Sequence, residues 1–208
     1  MTNAIHPLAN TFAPTGELRV AINMGNPIFA RRHHDTVEPE GVSIDLATQQ
    51  AKRLGVPLKL VVFEAASKSV KAVSGEEADE GFFAIDPLRW AAIAFTAPYI
   101  LIEGAYMGKN DSLLQSNAEV EQAQHRVVVD KGSAYDLYLS REIKHAQLVR
   151  SPTSPEVVSF FFRKRPGFGT RCATPARSRV VTYSVPAHVA RPLHGHRASH
   201  GFAQEPWP

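Results

Sequence analysis

Between residues 17 and 162, short apolar runs rich in β-branched residues alternate with stretches of helical period, and this alternation restricts the chain to an α/β fold. Glu17 to Asn23 (ELRVAIN) reads as a buried first strand, ended by the turn residues Gly25-Asn26-Pro27. Arg31 to Pro39 is polar and bounded by proline, which suits a loop or a hairpin tip. A helix begins within Gly41 to Ala47, with Ser43 as its cap. Ile44, Ala47, Ala51 and Leu54 fall on one face, and Gly55 stops it. Pro57 to Phe63 is a second strand, Ala66 to Val73 a helix, and Asp79 to Ile85 a third strand ending at Asp86-Pro87. A helical turn from Arg89, an extended Phe95 to Tyr99 and a strand over Ile100 to Gly108 follow. The pattern then resumes with a helix at Asn117 to Gln124, a strand at His125 to Val129 and a helix at Ser133 to Ser140. A strand at His145 to Val149 and a helix over Pro155 to Phe162 complete it. Strands separated by helices imply a mainly parallel sheet.

The order breaks at residue 163. Residues 163–208 hold eight of the 23 lysines and arginines but one of the 20 acids, Glu205, so the preceding body is net negative and the tail strongly basic. Pro166, Pro175, Pro186 and Pro192 exclude a long helix there. Arg, Pro, Ala, His and Ser dominate, the composition expected of a GC-rich gene read out of frame, with the shift near Ser159 to Arg163. The basic residues are scattered without interleaved aromatics, so the tail is not read as a nucleic-acid arm. It is expected to be irregular. The only cysteine, Cys172, excludes an intrachain disulfide. No apolar run approaches the roughly 18 residues that span a bilayer, and no secretory signal is visible in the first residues.

Site chemistry points to binding. Arg89 stands just past a strand end and a proline, where open α/β sheets place ligand groups. Its guanidinium is a planar, permanently charged, two-pronged donor suited to a carboxylate. Gly132-Ser133 precede a helix, whose first N–H groups favour an anion. His33-His34-Asp35 are adjacent in sequence and do not converge on one ion. The tail histidines His188, His194, His196 and His200 lack zinc-like spacing with a cysteine pair, so no metal or other cofactor is expected. No phosphate-binding glycine loop is present, and no nucleophile with a neighbouring base can be named.

Four segments, in order, resemble the family 3 bacterial solute-binding proteins. They are Leu18-Arg19-Val20-Ala21-Ile22; Gly41-Val42-Ser43-Ile44-Asp45-Leu46-Ala47 with Ala51-Lys52-Arg53-Leu54-Gly55; Ile85-Asp86-Pro87-Leu88-Arg89 leading into Phe95-Thr96-Ala97-Pro98-Tyr99; and Asp130-Lys131-Gly132-Ser133-Ala134-Tyr135-Asp136. The resemblance implies two lobes of mainly parallel sheet with flanking helices and a ligand clamped between them by hinge closure. Residues 17–108 would form the first lobe, 109–162 an incomplete second lobe, 1–16 an N-terminal extension and 163–208 the basic tail. It implies a non-catalytic component of an ABC uptake system, periplasmic, with a membrane permease as partner and an amino acid or small carboxylate as ligand. The ligand contacts would be Arg89, Asp86, Phe29, Ser133 and Ala84. Asp86 would either cap the Pro87 turn or accept from an ammonium, and Phe29 would either pack in the core or cover the ligand. Ala84 and Phe82 stand where the family commonly has small hydroxyl residues. Asp45 and Tyr99 read as structural. The alternatives are a cyclohexadienyl dehydratase-like enzyme on the same fold, with Glu103 as the acid, a sensor input domain, and a non-functional remnant.

Overall fold

The structure is a computed structural model that describes residues 6–27, 29–33, 38–104, 106–108, 114, 116–162 and 183–192; for 101–104, 117 and 183–192 it describes the backbone alone. In chain order the elements are α1 (Ala9–Phe12), β1 (Leu18–Asn23), β2 (Arg31–Arg32), β3 (Pro39–Glu40), α2 (Val42–Leu54), β4 (Leu58–Phe63), α3 (Ala66–Ser74) and β5 (Glu80–Ala84). They continue with α4 (Pro87–Trp90), β6 (Ile93–Phe95), β7 (Ile100–Gly104), α5 (Asn117–Val120), β8 (Arg126–Asp130), α6 (Ala134–Glu142), β9 (Gln147–Ser151), α7 (Glu156–Phe162) and β10 (Tyr183–Pro192).

The larger sheet has six strands in the order β4-β1-β5-β10-β6, with β7 also paired to β10. β1 is central to its parallel part, aligned Leu18 to Leu58 through Asn23 to Phe63 with β4, and Val20 to Glu80 with β5. The side-chain period of two sends Leu18, Val20 and Ile22 to one face, where they meet Ala47, Ala51 and Leu54 of α2. Ala21 points the other way and packs with Phe83, Ile93 and Val73 of α3. Helices thus cover both faces, which explains why β1 reads as a continuous apolar run. The smaller sheet is the parallel pair β8-β9, aligned Arg126 to Gln147 through Asp130 to Ser151, with Val127, Val129 and Leu139 in its core.

Local chemistry sets the helix ends. Gly41 has φ 126°, and a Cβ there would stand 2.6 Å from the Phe29 carbonyl oxygen, so only glycine fits the start of α2. That same Phe29 oxygen accepts from Ser43 N at 3.1 Å. Ser43 is therefore not the cap: Gly41 occupies that position and no side chain caps α2. Gly55, at φ 72°, ends α2 in the left-handed conformation as its sequence position implies. The loop expected over Arg31 to Pro39 begins and ends in the β2-β3 pair.

Three expectations change. α5 spans only Asn117–Val120 rather than reaching Gln124, because the chain turns back with Gln122 N donating to the Val120 carbonyl. The residues assigned to an N-terminal extension join the main core: Ala9 and Ala13 are buried, and His6 N donates to the Leu54 carbonyl. The basic tail is regular over part of its length, since β10 lies antiparallel between β5 and β6 and also pairs β7. The reason is the open edge of β5, whose backbone groups need partners. Val185 and Val189 supply β-branched residues to the segment that fills it. Pro186 falls outside the stretch 187–190 that pairs β5, so its missing N–H lies where β10 has a neighbour on one side only.

Candidate functional site

The strand ends of both sheets converge on one cavity of about 490 Å³. From the larger sheet it takes Asn23 at the end of β1, Phe82 and Ala84 from β5, and Arg89 from α4. From the smaller it takes Asp130 at the end of β8 and Ser133 at the start of α6. This is where a parallel sheet presents its carboxyl ends and helix N-termini, the usual location of a binding crevice in α/β folds.

Arg89 is the only basic residue in the described lining. It is buried, at 6% exposure, yet no described carboxylate pairs with it. Nη1 donates to the Ala84 carbonyl at 2.9 Å and Nη2 to the Gly132 carbonyl at 2.9 Å. A guanidinium has five N–H donors, so these two bonds fix its plane without exhausting it. Burial pulls its pKa down from 12.5 to about 10, and nearby Asp86 opposes that fall. The group stays cationic at neutral pH while its charge is poorly solvated, which makes it receptive to an anion.

Ser133 caps α6, accepting from Asp136 N at 3.2 Å. The cavity continues along Ala134 and Tyr135, so the first turn of α6 faces it. Phe29 meets Tyr99 edge to face at 6.4 Å, and Phe82 meets the same ring at 6.1 Å. The three rings form an aromatic wall. Tyr99, read from the sequence as structural, thus belongs to the lining. Its hydroxyl is out of water beside Ser43, and burial pushes its pKa up to about 12.

Of the five residues singled out from the sequence, the structure gathers Phe29, Ala84, Arg89 and Ser133 around the cavity. Asp86 is not in the described lining. It caps α4 by accepting from Leu88 N at 3.0 Å, and its other oxygen accepts from Arg141 Nη1. Of the two readings of Asp86 from the sequence, this is the cap of the Pro87 turn, with an ion pair to Arg141 added. Asp45 also lies away from the described lining. His34 and Asp35 lie outside the described residues, as does the side chain of Glu103. No cluster of three or more metal-ligating residues occurs among the described residues.

The residue that sequence reading passed over is Asp130. It is 5% exposed and lines the cavity. Oδ2 accepts from Ser154 Oγ, while Oδ1 has no hydrogen-bond partner. Burial holds its carboxyl above the ordinary value of 3.8, the Ser154 hydrogen bond lowers it, and Asp136 pushes it up further.

A periplasmic-binding-protein-like fold, parallel sheets with flanking helices around a shared crevice, is what this geometry defines. The family model for bacterial extracellular solute-binding proteins, family 3, matches residues 18–165, and the chain belongs to that family. Among curated proteins none matches the sequence. Solved structures share the fold. The arginine-bound form of truncated ArgBP from T. maritima is 20% identical over 88% of this chain and 91% of that one, with a TM-score of 0.69. A putative binding component of an ABC transporter from Wolinella succinogenes, complexed with lysine, is 22% identical over 85% and 82%, with a TM-score of 0.62. An ancestral amino-acid-binding protein described as a precursor of cyclohexadienyl dehydratase is 20% identical over 88% and 85%, with a TM-score of 0.67.

Proposed function

We propose that this chain is the solute-binding component of an ABC uptake system and that it captures an amino acid or similar small carboxylate in the cavity between its two sheets. The observation that supports this reading is Arg89, a buried guanidinium in the cavity with no described carboxylate partner. A ligand carboxylate supplies the missing charge. The first turn of α6 adds N–H groups from the opposite side, and the aromatic wall of Phe29, Tyr99 and Phe82 packs against the ligand body. A charge-assisted bond is worth about 1.5–3 kcal/mol net, so these anchors account for a large share of a micromolar affinity of about −8 kcal/mol. Membership of an extracellular solute-binding family supports work outside the cytoplasmic membrane, and on this reading a membrane permease is the partner.

Thermal unfolding in the presence of each of the twenty amino acids and their deaminated carboxylates tests the reading. A ligand at about 100 times its Kd stabilises the native state by about 2.7 kcal/mol. Stabilisation by at least one carboxylate-bearing compound is expected, and none in the set would defeat the proposal.

A further inference from the structure

We infer that the chain forms a two-fold symmetric dimer by antiparallel pairing of β8 with β8 of a second copy, and that Arg126 of the second copy then stands beside Asp130 in the cavity wall. The inference is independent of what the cavity binds.

Topology supplies the open edge. β8-α6-β9 repeats the order strand, helix, parallel strand of β1-α2-β4. β1 has a neighbour on each side, β4 and β5, whereas among the described residues β8 pairs β9 alone. Its other edge presents backbone N–H and C=O groups that can receive a further strand. The cavity reaches that edge: Val128 faces opposite to Val127 and Val129, yet all three line it. α7 packs on β8 and leaves Val158 and Phe162 exposed. Val158 lines the same cavity, so apolar surface continues from the strand onto the helix.

Charge complementarity selects a second copy as the occupant. Arg126-Val127-Val128-Val129-Asp130 is its own complement in antiparallel pairing. With Val128 on the axis, facing its own copy, Arg126 stands opposite the second copy's Asp130. Val127 stands opposite its Val129. Residues directly opposite bring their Cβ atoms to about 4.5–5.5 Å, so two ion pairs form per dimer. Each meets a need of the single chain. Asp130 is buried and accepts from Ser154 Oγ, and its Oδ1 has no hydrogen-bond partner. A guanidinium supplies the missing donors. The axis stands perpendicular to the sheet, so α7 of both copies lies on one face, and such a contact closes at two copies. At dilutions that leave the chain monomeric, Asp130 lacks this partner. Two other strands with one neighbour are less suited. Self-pairing of β9 about Val149 opposes Leu148 with Arg150, which is already held by Asp136 and Ser140. Self-pairing of β4 opposes Val62 with Lys59, a charge that guards this edge and meets Glu17.

Sedimentation velocity of the full chain from about 1 to 100 μM tests this. Wild type is expected to pass from one chain mass to two across that range. Val128→Lys sets two like charges face to face on the axis, and Arg126→Glu sets an acid opposite Asp130 of the second copy. Each is expected to weaken the dimer at least about tenfold. Asp130→Lys does the same by opposing Arg126. An equal mixture of the Arg126→Glu and Asp130→Lys chains is expected to dimerise where neither does alone, because both cross-strand pairs again join opposite charges. Wild type that stays monomeric throughout, as it would if residues 163–182 covered the edge in cis, overturns the inference. So does a wild-type dimer that survives Val128→Lys and Arg126→Glu, or a mixture that stays monomeric. Hydrogen exchange of wild type needs no variant, so a misfolded substitution cannot hide the answer. Amides of residues 126–130 that face away from β9 should gain protection as concentration rises, and a dimer without that gain overturns the pairing.

Discussion

Arg141 on α6 donates through Nη1 to Oδ2 of Asp86, 55 residues earlier, and so ties the small sheet's helix to the turn that carries Arg89. Asp86 is 4% exposed and Arg141 43% exposed at the side chain, so the pair joins a buried acid to a half-wet guanidinium. Arg89 makes a parallel link through Gly132. These two bridges hold the sheets together over the cavity, and the pair predicts an asymmetry. Arg141→Ala removes only the bridge, for about 1 kcal/mol or less, as expected of a partly exposed ion pair. Asp86→Ala also uncaps α4, a loss of about 1 kcal/mol more. Urea unfolding of the two variants should therefore rank Asp86→Ala as the less stable, and equal stabilities would show that the cap carries nothing.

Gly132 combines two constraints. Its φ is 74°, and a Cβ would stand 2.8 Å from the Ser67 Cβ. Gly132→Ala is therefore expected to cost about 1–3 kcal/mol and to push the small sheet away from α3. A loss of ligand affinity should accompany it, because the Gly132 carbonyl fixes Arg89. A stable variant with wild-type affinity would show that the two sheets do not close at this point.

Asp130 predicts a pH signature whose sign is fixed by its direction of shift. Its carboxyl is held above 3.8, so the folded state binds more protons than the unfolded state as pH rises past that value. Stability from this group is lost through that window and the loss is complete above the folded pKa. Asp136 lies near, but Arg150 Nε meets it at 2.8 Å. Ligand-free Asp130→Asn is thus expected to be more stable than wild type at pH 7, with the difference shrinking toward pH 3. Paired thermal scans at several pH values check this, and an Asn variant less stable than wild type at pH 7 would contradict the account.

The binding reading predicts no turnover. Incubation with prephenate should release no phenylpyruvate, as followed by its absorbance in alkali. Measurable release that Asp130→Asn abolishes would move the protein to the dehydratase alternative.

Much of this was legible in the residues. β1 and β4 stand out because strands covered on both faces need unbroken apolar runs, and α2 because Gly55 must end it. Arg89 was readable because a turn after β5 confines where it can project. Asp130 was not, since its value lies in a partner that is missing from a three-dimensional environment, and an acid at a strand end looks like any turn residue. The cap formed by Asp86 was readable from the Pro87 that follows it, but its partner Arg141 was not, because it comes from a distant helix. β10 was invisible because its prolines argue against a strand, while the demand that creates it comes from the unpaired edge of β5.

Isothermal titration calorimetry of Arg89→Ala and Arg89→Lys, using the compound among the twenty amino acids that most raises the wild-type unfolding temperature, tests the central claim. The account predicts that Arg89→Ala loses at least about tenfold in affinity, and that Arg89→Lys recovers only part of it because lysine lacks the planar fork. Unchanged affinity in Arg89→Ala, with the variant folded, would remove Arg89 from the site and contradict the account.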